Sequence, residues 1–266
     1  MLLGWSKSVL RSVVPAPARS LARRAIQFPQ RLREEVPLLL FECKPIRATT
    51  YFQRRTLTAG MRLAHRNIRC PHKHSEIVAM LEFILSIPSQ VEGCIVEAGC
   101  FKGGSTAKLS LGAKRCGREM LVFDSFAGIP EHKEVHGTTL LGEPAEVAKG
   151  QYCGQLEEVR QNVQSFGAVD VCTFVPGWFE DTLPQLKRPV VMAFVDVDLA
   201  ASTKTCIQYL YPLLVPGGAI FSHDGHRPLC IAAISDDRFW TEVVGYRRPE
   251  IPGLGRRKLL RISKPS

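Results

Sequence analysis

Between residues 94 and 224 the chain repeats one pattern five times: a short apolar run that stops abruptly at a polar residue or a glycine. The runs are Cys94–Glu97, Met120–Asp124, Val171–Val175, Val190–Asp196 and Ala219–Asp224. Each is short for a buried helix and lacks the alternation of a half-exposed strand, so each reads as a strand covered on both faces. Amphipathic stretches separate them. Leu156, Val159, Val163 and Phe166 recur at helical steps before Gly167, and Cys206, Ile207, Leu210 and Leu214 do so from near Ser202. Ahead of the first run, Ser75 opens a helix bearing Ile77, Met80, Leu81 and Ile84, with Pro88 beyond its end. Strands interleaved with helices call for a doubly wound, parallel α/β sheet. At the tail, Phe239–Arg247 and Lys258–Ile262, joined through Pro249, Pro252 and two glycines, read as an antiparallel pair at one sheet edge.

Charge divides the chain in two. Residues 1–74 hold 15 Lys and Arg against 3 Glu, whereas residues 75–266 hold 20 against 22 acids, although the whole carries +10. A near-neutral body argues against a nucleic-acid footprint on the core. The front stretch, with Lys7, Arg11, Arg19, Arg23, Arg24, Arg31 and Arg33 before its first acid at Glu34, reads as a basic, mainly helical extension. Such a segment packs on the body or a sister subunit, lies on anionic lipid, or serves as an organelle presequence. No apolar run nears the ~20 residues of a membrane span. The nine scattered cysteines, without CxxC pairs, suit a reducing compartment. The location expected is cytoplasmic, with organellar import or peripheral membrane association through the basic extension as alternatives. The division expected is an extension over 1–74 and one catalytic domain over 75–266.

In an open α/β sheet ligands bind beyond the carboxyl ends of the strands. Those ends carry Glu97 with Gly99, Gly103, Gly104 and Ser105; Asp124 with Ser125; Gly177 with Trp178; Asp196 with Asp198; and His223 with Asp224. A dinucleotide site would place G-x-G-x-x-G after the first strand, but E-x-G-x-x-x-G-G-S stands there. An acid in place of the first glycine suits an amino group better than a pyrophosphate. S-adenosylmethionine offers an amino group for Glu97, a carboxylate for the Gly103–Ser105 turn, ribose hydroxyls for Asp124 and an adenine for Trp178. The second group, Asp196, Asp198, His223 and Asp224, gathers carboxylates that repel unless a cation joins them. Oxygen-rich sets favour Mg²⁺, and the histidine admits Mn²⁺ or Fe²⁺. A divalent ion there activates an acceptor hydroxyl, with Asp196, His223 and Asp224 as the catalytic set. The alternative for Asp198 is a cap on the helix that follows.

The stretches "VEAGCFKGGS", "FDSFAGIP", "EEVRQNV", "FVPGWFEDTLP", "FVDVDLAAST" and "LYPLLVPGGAIFSHDG", in this order over residues 96–225, resemble the macrocin O-methyltransferase (TylF-type) family of class I S-adenosylmethionine-dependent methyltransferases. The resemblance implies a Rossmann-like sheet of seven strands with the last pair antiparallel. It also implies Mg²⁺-dependent O-methylation of a small hydroxylated acceptor, typically a sugar of a secondary metabolite, by a homo-oligomer. Two departures stand out: His223-Asp224 replaces the family's aspartate pair, and Ala200-Ala201 replaces the Tyr-bearing part of D-L-Y-x-S-T. The rivals are a nicotinamide-dependent oxidoreductase on a similar sheet and a non-catalytic scaffold working through its basic arm.

Weaker candidates lie nearby. Cys70, His72 and His74 form C-x-H-x-H, a spacing that could take zinc but lacks a fourth ligand. His132 and His136 sit in a long loop over 127–150, where a lid could supply a general base.

Overall fold

The computed structural model describes residues 32–46 and 49–265. The basic stretch up to Arg31 lies outside them, and so does the surface or presequence helix expected there. Three helices precede the sheet: α1 over 32–43, α2 over Tyr51–Asn67 and α3 over His74–Ser86. Thr50 caps α2 by accepting from the Gln53 amide, and Gln53 accepts from Thr50 in return. Then follow β1 (Cys94–Ala98), α4 (Gly104–Arg115), β2 (Met120–Asp124), α5 (Leu156–Phe166), β3 (Cys172–Pro176) and the short α6 (Phe179–Thr182). The chain closes with β4 (Val190–Val195), α7 (Ala200–Leu210), β5 (Leu214–Ser222), α8 (Pro228–Ser235) and β6 (Leu260–Ser263).

The strands form one sheet in the order β3-β2-β1-β4-β5-β6. The first five are parallel and β6 runs antiparallel to β5, pairing Ile220 with Ile262. Both faces are covered, as continuous apolar runs require. Ile95, Met120, Met192 and Phe194 pack under α3 and α4, joined by Leu38, Phe41, Leu57, Met61 and Ala64 from the leading helices. Val96, Ala98, Ala193 and Val195 pack on the opposite face with Ile207, Leu210, Tyr211 and Trp240.

The described residues hold six strands rather than seven. Within Phe239–Arg247, read from sequence as a strand, Phe239–Val244 is a short π-helical segment. Aromatic and β-branched residues gave it a strand's composition, but its anchors prefer a helix. Asp236 accepts from the amides of Arg238 and Phe239 at its start. Trp240 is fully enclosed, edge-on to Tyr211 at 4.8 Å, with its ring N–H donating to the Ile234 carbonyl. Gly245, at φ 81°, ends the segment in a conformation glycine adopts without strain. No helix among the described residues is long and apolar enough to cross a membrane.

Candidate active site

The tips of β1, β2, β4 and β5 open into one cleft of roughly 1240 Å³ of empty space including its mouth. Gly99 lets the rim close. It has φ 86°, and a Cβ there would stand 2.0 Å from the Asp196 carbonyl oxygen. Only glycine allows β1 and β4 to approach so nearly at their ends. The turns after β1 and β4 also hold Phe101 and Asp198 at positive φ, and both residues line the cleft. Left-handed non-glycine residues cost of order 1–3 kcal/mol each and gather at functional sites.

One half of the cleft combines donors, an acceptor and flat walls. Helix α4 begins at its edge, so the first-turn amides of Gly104 and Ser105 face a ligand space. The Asp124 carboxylate is nearly enclosed and accepts from the Cys100 and Phe126 amides, each at 2.7 Å. Burial pushes its pKa upward against those bonds. Ser125 lines the wall, though its hydroxyl serves the turn by donating to Gly128 and accepting from Ala127. Trp178 and Phe101 form flat walls. Glu97, Gly103 and Gly177 do not line the cleft. Glu97 is fully buried, accepts from the Thr106 hydroxyl at 2.5 Å, and leaves Oε1 enclosed without a partner. Burial pushes its carboxyl up to about 7 against hydrogen bonds from Ser105 and Thr106. Donors at a helix start, an acid at the next strand end and flat aromatic walls fit an amino-acid nucleoside such as S-adenosylmethionine.

The other half holds the acids, and they divide into two groups. Asp196 accepts from both His72 and His223, at 2.8 Å from His72 Nε2 and 3.1 Å from His223 Nδ1. Burial opposes its ionisation, but the two imidazoles hold it well below the ordinary carboxylate range. Burial likewise opposes charge on His72, yet Asp196 and Cys70 raise it to about 10. The His72 and His223 rings stand 4.5 Å apart, nearly perpendicular, and Glu76 Oε2 lies 3.3 Å from His223 Nε2. The second group turns to Arg227. Its guanidinium pairs with Asp198 and lies 3.4 Å from Asp224 Oδ1, while Asp224 Oδ2 accepts from the Val197 and Asp198 amides. The amides at the start of α7 are taken by Glu134 of the 127–150 loop, so Asp198 is not the cap of that helix.

The weaker sequence candidates separate. His72 joins Asp196, whereas His74 bonds Glu34 and packs on His65. His132 bonds the Val147 carbonyl and His136 pairs with Glu134, and neither lines the cleft. Arg227, Glu76 and the partnership of His72 were not foreseen. His72 lies 124 residues from Asp196, and no local pattern reveals such a pair.

Fold and site together describe a class I-type methyltransferase architecture, with a ligand cleft at the strand tips and a polar cluster facing a helix start. The family model of TylF, macrocin-O-methyltransferase, matches residues 75–244, and the chain belongs to that family. It is 33% identical over 157 residues to the 8-demethyl-8-(2,3-dimethoxy-α-L-rhamnosyl)-tetracenomycin-C 4'-O-methyltransferase of Streptomyces olivaceus, covering 56% of this chain and 59% of that protein. It is 31% identical over 159 residues to the demethyldecarbamoylnovobiocin O-methyltransferase of Streptomyces niveus, covering 57% and 60%. The matches thus span about three-fifths of those relatives' length. Among solved structures, the O-methyltransferase NovP superposes with a TM-score of 0.64 at 21% identity, over 80% of this chain and 100% of that one. The calicheamicin methyltransferase CalS11 gives 0.52 at 17%, over 83% and 96%. These likenesses establish the fold.

Proposed function

We propose that the chain is an S-adenosylmethionine-dependent O-methyltransferase acting on a small hydroxylated molecule, with a sugar hydroxyl of a secondary metabolite as the favoured class. One observation carries the reading: in a member of this family, a helix start and Asp124 share a single cleft with the His72–Asp196–His223 cluster. A relative named for a rhamnosyl-bearing tetracenomycin supports the sugar.

When bound, S-adenosylmethionine supplies a methyl group already activated by its sulfonium, which leaves positioning and proton handling to the chain. The Gly104 and Ser105 amides hold the amino-acid carboxylate, and Glu97, enclosed off the cleft, braces the start of α4 by accepting from Thr106. Asp124 has lone pairs left for ribose hydroxyls, and Trp178 flanks the adenine. Across the cleft, Asp196 with its two imidazoles orients the acceptor hydroxyl. The four-residue set Asp196, Asp198, His223 and Asp224 expected to hold Mg²⁺ fits poorly, because Arg227 engages Asp198 and Asp224. The residues that would hold a divalent ion are His72, Asp196 and His223, whose donor atoms all lie within 4.8 Å of one another. In that position an ion supplies Lewis-acid activation of the hydroxyl.

The test is methyl transfer from S-adenosylmethionine to a panel of glycosylated and hydroxylated metabolites, followed by mass spectrometry, beside calorimetric titration of the donor. The expected result is donor binding and a product about 14 mass units heavier at an oxygen, a methyl group in place of a proton. Absence of donor binding, with NADH bound instead, would overturn the reading.

A further inference from the structure

We infer that the polar cluster is a two-histidine, one-carboxylate metal site that selects a transition-metal ion over Mg²⁺, with His72 as a ligand delivered from the segment before the first strand. The inference deepens the proposed function, resting on the reading that this cleft is the reaction site.

The donor chemistry comes first. Mg²⁺ takes oxygen donors in a tight octahedron and keeps several waters. Here two of the three converging side chains are imidazoles, a donor that suits Mn²⁺, Fe²⁺, Co²⁺ and Zn²⁺. The carboxylates that could have completed an oxygen set face Arg227: Asp198 pairs with it, and Asp224 gives Oδ2 to two amides while its Oδ1 lies 3.4 Å from the guanidinium.

The spacing agrees. Neighbouring ligands in an octahedron with bonds of about 2.1 Å stand roughly 3.0 Å apart. Asp196 presents a separate oxygen to each imidazole, Oδ2 at 2.8 Å from His72 Nε2 and Oδ1 at 3.1 Å from His223 Nδ1. Such contacts serve a hydrogen bond or a shared ion with little displacement. The rings are also braced as ligands are. His72 packs edge-on against Phe194 at 5.1 Å, with Cys70 Sγ 3.5 Å from its Nδ1, so its Nε2 is the atom presented to Asp196. His223 and His72 are almost wholly enclosed, and His223 Nε2 lacks a well-formed hydrogen bond, with only Glu76 nearby. Asp196 keeps 19% of its side chain exposed, which leaves the third donor open to the cleft where an acceptor oxygen would enter.

The full chain, stripped with chelator and kept free of methyl donor and acceptor, is titrated separately with Mn²⁺, Co²⁺, Zn²⁺ and Mg²⁺. The expected result is one ion per chain, with Co²⁺ and Zn²⁺ bound at least 100-fold more tightly than Mg²⁺. Pulsed electron spin resonance of the Mn²⁺ form should show coupling to imidazole nitrogens. His72→Ala should lower Co²⁺ affinity at least tenfold and leave Mg²⁺ affinity unchanged, and His223→Asp should narrow the gap between the two ions. The nitrogen coupling is read on the wild-type chain, so a variant that fails to fold does not obscure the result. Mg²⁺ bound as tightly as Co²⁺, Mn²⁺ bound without nitrogen coupling, or no ion bound at all would each overturn the inference. A chain that binds Co²⁺ as described yet transfers no methyl group refutes the proposed function and leaves the site standing.

Discussion

Replacing Glu97 by glutamine isolates the cost of the one carboxyl group wholly enclosed at the tip of β1. Glutamine keeps the shape and can still accept from Thr106, but it cannot ionise. In the folded chain burial pushes the carboxyl from its ordinary 4.5 up to about 7. Because the folded form then holds its proton more tightly than the unfolded form, stability falls as pH rises from about 4.5 to about 7, and stays low above that. A displacement of that size corresponds to on the order of 3 kcal/mol. Urea unfolding of wild type and Glu97→Gln at intervals from pH 4.5 to 8 should therefore diverge. The variant gains about 3 kcal/mol relative to wild type across that range, the difference cancelling the titrations both proteins share. Parallel stability profiles would refute the burial argument.

Other substitutions probe the frame and the reaction separately. Asp196→Asn should reduce methyl transfer by about 10²–10⁴-fold in single-turnover assays while leaving donor binding measurable; wild-type rates would remove Asp196 from the chemistry. Gly99→Ala must place a methyl against the Asp196 carbonyl at φ 86°, and should cost more than about 3 kcal/mol in urea unfolding. Trp240→Ala empties a fully buried site against Tyr211, and should cost about 3–5 kcal/mol without changing donor affinity. Glu134→Ala frees the first amides of α7, costing about 1–2 kcal/mol and speeding limited proteolysis within 127–150.

The parallel strands were legible because burial on both faces forces continuous apolar runs, and Glu97 stood out as the acid interrupting one. The strand-end rule then led to the cleft, since Asp124, Asp196 and His223 stand at the tips of β2, β4 and β5 around it. What escaped was set by distant packing. Phe239–Val244 has the composition of a strand, and only the enclosed Trp240 and the Asp236 cap decide for a helix. Asp198 offered two local readings, metal ligand or helix cap. The structure gives it a partner, Arg227, 29 residues onward, and hands the cap to Glu134. His72 was noticed for its spacing from Cys70 and His74, which misled, because its working neighbour comes from β4.

The family match starts at residue 75, yet Arg69, Cys70, Pro71 and His72 form one wall of the cleft. Grafting the leader of one family member onto the sheet of another would thus transplant a slice of the reaction chamber with it. A chimera made at that junction would face His72 from one parent with Asp196 from the other across a single cleft.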